Sequence, residues 1–585
     1  MPILGDISLR LQEMGALSYL SVFLALGVSL GESLPRCRCL YGQSCWPNAA
    51  AFSTLASQVS QPLLHPVPPA SACYPPSSPS GDCAEVVAHY TDGVWRATQP
   101  GALQQPNFET FIFPNGTVSA CYLNINLGIP CQQGSVPPIG VNASSAQDIQ
   151  AAVKFANKHN LRLVIKNTGH DYLGRSSGRG GFMVWTHNLK SMSYNPSFVP
   201  QGAPSRNAET FQAVTLGAGV QWFEAYPFAH QHGRFLIGGI SVGGSVGAAG
   251  GWIMGAGHSA LSPSYGLGVD NVLQFEVVLA DGSLVTTNAY QHPDLFWALR
   301  GGGGGTYGIV VSATYKTHPD LPLSIYFLTA NFSSPQAAQE VATEFVRIHP
   351  AASDAGWGGY SSISTTTTQL AWGKLNVTAD EAAEMFASLT NVTAEATGGQ
   401  LVTFTETFPS FFDWYNATYA GQTGQVGAQV YISSRLLPRK LAVEDPAKAA
   451  KIMLSLPGGV AANSVGGGAV SRVDPDSTGL NPSWRGALSE VYTVEAWAEG
   501  SSAATIAQHV ESLKKNTDVL DQLTTDSGSY LNEASLFERD FQKSFFGSHY
   551  NKLKSIKNKY DPTSLFVVAE GVGSDDWDKN LECRI

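Results

Sequence analysis

The sequence predicts an α+β fold that is divided into more than one domain. At 585 residues the chain exceeds the usual size of one domain, and its composition of 43% apolar and 14% charged residues suffices for a large core. Segments with helical spacing of apolar residues alternate with short β-like runs. Glycine is concentrated between residues 233 and 308 and becomes less frequent after about residue 320. This change in composition predicts a second domain over residues 321–525.

The N-terminal segment predicts a secretion signal over residues 1–31. Residues 16–30 are apolar with small side chains, which fits the core of a signal peptide and is short for a membrane span. Asp6 and Glu13 precede this run, so Met14 is an alternative start, and a buried first helix is an alternative structure. We expect a secreted protein that carries no membrane anchor after signal removal.

The cysteines support the same compartment. They are Cys37, Cys39, Cys45, Cys73, Cys83, Cys121, Cys131 and Cys583. An even number that is concentrated just after a signal is typical of disulfides formed in an oxidising compartment. A zinc site is the less favoured interpretation of these cysteines, and we expect no metal. Residues 32–84 are predicted to form an irregular, disulfide-linked cap, and the sequence leaves the pairing open.

Glycosylation motifs predict surface glycans, and the net charge argues against one class of binding partner. N-x-S/T motifs, which predict surface glycans, occur at Asn115, Asn142, Asn331, Asn376, Asn391 and Asn416. The formal net charge of −11, without a basic cluster, argues against a nucleic-acid partner. We expect a monomer that acts on a small molecule.

Helices and strands are predicted around a glycine-rich loop. Ser144, with Gln147 three residues later, predicts the N-cap of a helix over residues 146–159. Other predicted helices cover residues 222–232, 335–348 and 380–389, and a basic helix begins at 551 and ends before Asp561 and Pro562. Predicted strands cover residues 161–165, 182–185, 212–219, 273–279, 283–286 and 309–315.

The loop after the first of these strands contains the main candidate site residue. The segment 163–185 reads LVIKNTGHDYLGRSSGRGGFMVW, so His170 lies inside a run of Gly, Ser and Thr between two strands. Such a run offers backbone N–H groups at close range, which is a common way to hold phosphate. Because the histidine lies within the loop, we expect it to contact a cofactor. On residue type alone, a locally packed loop histidine would be the default.

A second glycine-dense segment covers residues 235–272. This much glycine excludes a regular helix or a central strand and indicates a backbone that approaches another group closely. The stretch GAGHSA at 255–260 matches a dinucleotide pattern, but it lacks the preceding strand and following helix of a Rossmann site. A chance match is the better interpretation.

Five motifs in order resemble the vanillyl-alcohol-oxidase-type flavoproteins. They are KNTGHDYLGRSSG, GGISVGGSVGAAGGW, YGLGVDNV, DLFWALRGGGGGTYGIV and NKYDPTSLF. Within that family the chain is similar to the berberine-bridge-enzyme-like group, and most of all to its fungal secreted isoamyl-alcohol-oxidase-like members. The resemblance implies an FAD-binding domain of PCMH type (core about 133–319) made of residues 85–320 and 526–585. The inserted substrate domain would be an antiparallel sheet backed by helices.

The resemblance also implies the cofactor contacts. In that family the loop histidine, here His170, is joined to the 8α-methyl of FAD, and Ser176 and Ser177 with nearby backbone would hold the pyrophosphate. The other implied contacts are Lys166, Thr168, Gly169, Gly174, Arg175, Gly178, Gly239, Ile240, Ser241, Gly243, Gly244, Gly247, Gly251, Val269, Asp270, Gly308, Ile309 and Val310. Many members attach FAD a second time through a cysteine, but Ile237 occupies that position here. We therefore expect one covalent link and no cysteinyl link.

The catalytic base is predicted on a strand of the substrate domain. In the family a Glu, Gln or Tyr projects there toward the flavin, and the matching strand is SEVYTVEAW, residues 489–497. Glu490 and Tyr492 share one face of that strand. A phenol has an ordinary pKa near 10, so Tyr492 would need a partner to act as a base. We predict a Tyr492–His549 pair as the base, with Glu490 as the alternative; ordinary packing of each residue is the default.

These residues predict a secreted FAD-dependent alcohol oxidase. A base removes the hydroxyl proton, hydride passes to flavin N5, and dioxygen reoxidises the flavin with release of hydrogen peroxide. The alternative is an FAD-dependent tailoring enzyme of a fungal secondary-metabolite pathway, which catalyses ring closure, desaturation or alcohol oxidation. A third hypothesis, a flavin-free binding protein on the same scaffold, is disfavoured by the intact motifs.

Overall fold

The computed structural model describes residues 37–204, 208–523 and 528–585. The predicted signal peptide at 1–31 lies outside these residues, so it stays a prediction. Within the described ranges, no helix has both the length and the apolar character needed to cross a membrane.

The helices are as follows. They are α1 Ala49–Ala56, α2 Cys83–His89, α3 Gly93–Thr98, α4 Ala146–Lys158, α5 Trp222–His230, α6 Ser262–Tyr265, α7 Gly268–Asn271, α8 Pro293–Leu299, α9 Pro335–Asp354, α10 Ala379–Met385, α11 Ala387–Thr397, α12 Phe411–Thr418, α13 Arg439–Glu444, α14 Pro446–Leu454, α15 Gly468–Ser471, α16 Ala503–Leu520 and α17 Tyr550–Tyr560. Helix α1 and a 3-10 helix at Pro69–Cys73 show that the N-terminal cap is more regular than the sequence predicts.

The strands form five sheets. They are β1 Phe111–Ile112, β2 Val118–Ser119, β3 Ile139–Asn142, β4 Leu163–Lys166, β5 Phe182–Trp185, β6 Met192–Phe198, β7 Phe211–Gly217, β8 Arg234–Phe235, β9 Val272–Val278, β10 Leu284–Asn288, β11 Ile309–Lys316, β12 His318–Pro319, β13 Leu323–Asn331, β14 Gly358–Ile363, β15 Thr367–Leu375, β16 Leu401–Phe408, β17 Gln429–Pro438, β18 Val460–Ser464 and β19 Ala487–Trp497. The predicted α+β class is confirmed.

Two sheets support the glycine-rich loops. Strands β3, β5 and β4 pair in that order as a parallel sheet, and α4 is the crossover between β3 and β4. A five-stranded antiparallel sheet has the order β10-β9-β11-β7-β6. The N-cap of α4 is Ser145 rather than the predicted Ser144, because Asp148 completes a capping box with Ser145.

A seven-stranded antiparallel sheet occupies the middle of the chain, with the order β16-β13-β15-β14-β18-β19-β17. On one face, side chains such as Leu328, Trp372 and Val491 pack with Phe345 of α9 and Phe386 beside α11. Helices cover that face of the sheet. Successive side chains of each strand point alternately to this face and to the opposite one. The division into residues 85–320, 321–525 and 526–585 stays a prediction.

The eight cysteines form four disulfides, which the sequence could not pair. The pairs are Cys37–Cys583, Cys39–Cys45, Cys73–Cys83 and Cys121–Cys131. The first joins the two ends of the described chain across a sequence separation of 546. Five of the six sequon asparagines are exposed, whereas Asn142 is half-buried and accepts a hydrogen bond from Asn188.

A buried ion pair ties the glycine-dense segment to the strand-rich middle of the chain. Arg485 donates through both terminal nitrogens to Asp270, at 2.8 Å for each bond. Both side chains are more than nine-tenths buried. Asp270 also accepts from the Leu267 N–H at the start of α7. The Asp270 carboxylate therefore has a structural role, and its predicted contact with the cofactor stays a prediction.

We predict that Arg485→Met lowers the free energy of unfolding by about 3–5 kcal/mol, because it leaves a buried carboxylate without its cation. The measurement is thermal unfolding of the variant beside the parent protein. Lys514→Met is the matched control, since its ion pair with Glu511 is exposed and worth less than about 1 kcal/mol. Equal effects from the two substitutions would contradict the assigned role of Arg485.

Candidate active site

A deep cavity lies where the two glycine-rich segments meet the C-terminal part of the chain. It contains about 890 Å³ of space between atoms, including its open mouth. Its walls come from the loop after β4, the glycine-dense segment and two later segments. The lining residues include Asn167, Thr168, Gly169, His170, Tyr172, Arg175, Ser176, Gly247, Gly250, Gly251, Gly304, Gly305, Tyr530, Asn532 and Glu533.

The loop after β4 brings His170 into the cavity wall. Gly169 has a φ of +84°, and a Cβ there would lie 3.0 Å from the Ala102 carbonyl oxygen. The loop can therefore turn only with glycine at this position. His170 Nε2 lies 2.8 Å from the Ser245 hydroxyl. Burial lowers the pKa of His170 to about 3, so the ring is neutral at ordinary pH.

The glycine-dense segment approaches this loop more closely than side chains allow. A Cβ on Gly250 would lie 1.9 Å from Asn167 Nδ2, and one on Gly247 would lie 2.6 Å from Asn167 Oδ1. A Cβ on Gly251 would meet nothing within 4 Å. These positions let the backbone line the cavity at close range while leaving space beside Gly251.

Two buried polar atoms of the cavity wall have no hydrogen-bond partner within the described part of the chain. Arg175 donates through Nε to Asp171 and through Nη2 to Asn532, whereas its Nη1 is unpaired. Asn167 Oδ1 is unpaired as well. Buried polar atoms are normally satisfied, so both positions suit a bound polar ligand.

A cluster of two carboxyl groups and one imidazole lies next to the cavity. His258 Nε2 is 3.2 Å from Glu533 Oε1 and 3.8 Å from Glu490 Oε2. Asn463 Nδ2 donates to Glu490 at 3.0 Å and to Glu533 at 3.3 Å. Glu490 is fully buried, and burial followed by the charge of Glu533 raises its pKa well above the ordinary value. Such a carboxyl group holds its proton more strongly than an ordinary glutamate does.

Tyrosine hydroxyls surround the cluster and stay protonated. Burial raises the pKa of Tyr492 well above 10, and the charge of Glu533 raises it further. Burial likewise raises the pKa of Tyr360 and Tyr530. These phenols are therefore suited to donate hydrogen bonds rather than to act as bases.

The predicted Tyr492–His549 pair is not formed. Nδ1 of His549 lies 2.9 Å from the Leu480 carbonyl oxygen, and its Nε2 lies 2.9 Å from Asp476 Oδ1. Both ring nitrogens are thus engaged elsewhere, and the ring packs against Trp297. The alternative candidate, Glu490, lies beside Glu533 of the cavity wall and has a raised pKa, and its role as the base stays a prediction.

Comparisons with known proteins identify the family. A model described as "FAD binding domain" matches residues 137–288, and one described as "Berberine and berberine like" matches 529–573. An uncharacterized FAD-linked oxidoreductase of Arthroderma benhamiae is 38% identical, with 94% of this chain and 96% of the relative covered. The chain belongs to the VAO-type, berberine-bridge-like FAD-linked oxidoreductases.

Other members of the family cover the chain at similar length. The VAO-type flavoprotein oxidase VAO615 of Thermothelomyces thermophilus is 32% identical over 96% of this chain and 98% of its own length. The crystal structure at pH 5.0 of a VAO-type flavoprotein from Myceliophthora thermophila has a TM-score of 0.83 and 30% identity, covering 94% of this chain and all of that one. The structure of berberine bridge enzyme from Eschscholzia californica, at 16% identity and a TM-score of 0.65 over 89% of this chain and 98% of that one, shares the fold.

The cavity of this FAD-linked oxidoreductase fits FAD. The unpaired Arg175 Nη1 and Asn167 Oδ1 offer a donor and an acceptor, and the glycine backbone leaves room for a large planar ligand. Of the predicted cofactor contacts, seven line the cavity: His170, Thr168, Gly169, Arg175, Ser176, Gly247 and Gly251.

The remaining predicted contacts have other roles or do not line this cavity. Lys166 is buried, donates to the Gln99 carbonyl and lies over the Trp185 ring. Ser177 donates to the Ser135 carbonyl oxygen. Gly308 precedes β11, and Ile309 and Val310 lie within it. The others that do not line the cavity are Gly174, Gly178, Gly239, Ile240, Ser241, Gly243, Gly244 and Val269, and Ile237 is in the apolar core.

The sequence did not predict the part of the cavity wall that Tyr530, Asn532 and Glu533 form, nor the position of His258. The run YLNEA places Tyr530, Asn532 and Glu533 within four residues, and this mixture of ring, amide and carboxylate was the available signal. His258 belongs to the GAGHSA stretch, which lies between a 3-10 helix and the four-residue α6. There Gly257, with a φ of +66°, turns the backbone beside Trp252.

We predict that Gly304→Leu yields a folded protein without bound FAD. A Cβ on Gly304 makes ordinary contacts, 3.4 Å from Met254 Cε, and the rest of the side chain reduces the cavity that it lines. The measurement is visible flavin absorbance together with circular dichroism. Gly486→Leu is the control, because Gly486 is exposed with nothing within 4 Å of its Cβ position. Retained flavin in the Gly304 variant would contradict the assignment of this cavity.

Proposed function

We propose that this FAD-linked oxidoreductase oxidises an alcohol, with Glu490 as the base and His170 as the residue that carries the flavin. The observation that supports it is the buried Glu490 next to the half-buried Glu533, which lines the same cavity as His170. The groups around Glu490 are Asn463, Ser434, Glu533 and His258, and none of them is a permanent cation. A carboxylate in this setting binds a proton strongly, as the base for a hydroxyl group must.

The protein's part of the reaction is proton transfer and positioning. FAD, when bound, supplies the acceptor for the two electrons of the substrate C–H bond, and dioxygen is the proposed final acceptor, giving hydrogen peroxide. Glu490 takes the hydroxyl proton, and Asn463 holds its carboxylate in place. Tyr492, which stays protonated, orients the substrate by donating a hydrogen bond.

The neutral ring of His170 supports a single histidyl link to the flavin. Ser245 hydroxyl occupies Nε2, so the other ring nitrogen, Nδ1, remains for the bond to the cofactor. A neutral ring has one unprotonated nitrogen, and that nitrogen is Nδ1 when Nε2–H donates to the Ser245 hydroxyl. The buried, apolar Ile237 supports the absence of a second, cysteinyl link.

The cellular setting is part of the same proposal. Four disulfides support secretion into an oxidising compartment, and the exposed sequon asparagines support N-glycosylation. We propose a monomer. Oxidative tailoring of a secondary metabolite is the second candidate, since the same carboxyl pair would take a proton from a phenol; a panel of alcohols and phenols separates the two.

We predict that Glu490→Gln lowers the rate of flavin reduction by about 100- to 10,000-fold, the usual contribution of a general base. In the parent enzyme the rate rises with pH through a pKa well above 4.5, because Glu490 must be deprotonated. Glu533→Gln removes the charge that helps raise this pKa, so the profile shifts to lower pH. The measurement is anaerobic stopped-flow reduction by benzyl alcohol across pH.

The control for this prediction is Glu495→Gln. Glu495 lies on the same strand, but it faces α16, where it bonds His509 and Asn516. A normal rate for the Glu490 variant, or an unchanged profile for the Glu533 variant, would show that the pair is not the base.

We predict that His170→Ala abolishes flavin retention after acid precipitation, whereas Ser245→Ala slows attachment without preventing FAD binding. Ser245 holds the ring through Nε2, so its loss frees the ring to rotate. The measurement is the fraction of flavin that stays with the precipitated protein over time after FAD is added to apoprotein. Ser177→Ala, which removes a hydroxyl of the same loop that bonds Ser135, is the control. Flavin retained by the His170 variant would overturn the assignment.

A further inference from the structure

The face of the seven-stranded sheet opposite the helices extends well beyond the acid cluster. Directly opposed residues on paired strands share a face of a sheet. The register therefore puts one row of side chains on this face, namely Glu490, Asn463, Tyr360, Ala371, Phe327 and Phe404. The row begins at the proposed base and ends at the edge strand β16.

A second row runs parallel to the first and is open to solvent along much of its length. It consists of Tyr492, Ala461, Ser362, Gln369, Thr329 and Val402. Ser362, Gln369 and Val402 are exposed, and the other three are half-buried. The surface beside Glu490 is therefore continuous with an uncovered surface that crosses four more strands.

The two rows together are called the floor below, and the chemistry of its side chains changes along its length. Tyr360 lies against His258, with ring centroids 6.1 Å apart, and so belongs to the acid cluster. The middle is neutral and polar, with the Ser362 hydroxyl and the Gln369 amide. The far end is apolar: Phe327 and Phe404 stack at 4.9 Å, and Phe404 and Val402 are 47% and 58% exposed. Apart from Glu490, the two rows carry no acidic or basic side chain.

We propose that this floor is an extended substrate site, and that the substrate is an elongated, neutral alcohol with an apolar or aromatic tail. The hydroxyl end lies at Glu490 and the tail lies on Phe327, Phe404 and Val402. Five strand spacings of about 4.8 Å separate Glu490 from Phe404, so the floor extends over about 24 Å. The inference rests on the proposed function, because it takes Glu490 as the reacting end.

Continuity with the acid cluster favours a substrate tail as the occupant of the apolar end. The rows that carry Glu490 and Tyr492 are the same rows that carry Phe404 and Val402. The helix-covered face of the sheet, by contrast, is filled by its own apolar core. A long substrate would bury the exposed rings, and burial of each ring favours binding through the hydrophobic effect.

The experiment uses holoenzyme and a series of ω-phenylalkanols that begins with benzyl alcohol and ends with a chain able to span the floor. We expect kcat/KM to rise with chain length. Phe404→Asp and Val402→Asp should each lower kcat/KM for the longest alcohol by about tenfold or more, through KM, and leave benzyl alcohol unchanged. Val443→Asp is the matched control, because Val443 is 62% exposed on α13.

Binding of the longest ω-phenylalkane without a hydroxyl group, measured by calorimetry, separates the inference from the proposed function. Weaker binding of this alkane to the Phe404→Asp variant supports the floor as a substrate site, whether or not an alcohol reduces the flavin. If no alcohol reduces the flavin, the proposed reaction fails and the floor still stands. Equal kcat/KM across the series with no effect of either variant would overturn the floor. A change in molecular mass in solution, with unchanged KM, would identify a second copy of the chain as the occupant and would also overturn it.

Discussion

The arrangement of the site depends on holding the buried carboxyl group of Glu490 close to the half-buried carboxyl group of Glu533. Burial and the nearby charge of Glu533 raise the pKa of Glu490, so the proton affinity of Glu490 depends on the distance between the two carboxyl groups. Glu490 is held by strand pairing on both sides of β19, whereas Glu533 belongs to the segment after residue 528. The correct packing of two distant parts of the chain is therefore a condition for the chemistry.

On the other side of the cavity, the loop after β4 and the glycine-dense segment form a wall made mainly of backbone rather than of charged side chains. Gly247 and Gly250 bring one segment against Asn167 at distances that no side chain permits, and the cations nearby are already engaged. Lys166 is turned away toward Gln99, and Arg175 is held by Asp171 with one nitrogen left over. A negatively charged cofactor would thus be met mostly by N–H groups of fixed direction, which need little rearrangement on binding.

The sequence predicted those parts of the site that are local in the chain. The position of His170 follows from a run of small residues between two strands, and the structure places it in the cavity wall for that reason. The sequence favoured Tyr492 over Glu490, because the period of a strand cannot distinguish two residues on one face. Burial distinguishes them, but burial depends on tertiary packing. His258 and Glu533 meet through the fold across 275 positions, and no local pattern encodes that contact. The ion pair of Asp270 with Arg485 joins residues that are equally remote in the chain, so no local pattern predicted it.

The disulfide between Cys37 and Cys583 closes almost the whole described chain into a covalent ring. A peptide bond cut in any surface loop of such a ring opens it without releasing a fragment, since both new ends remain attached through the bridge. The segment that carries Asn532 and Glu533 would stay joined to the loop that carries His170 after a single cleavage. A single cleavage therefore leaves all parts of the described chain covalently joined until a reductant opens the ring.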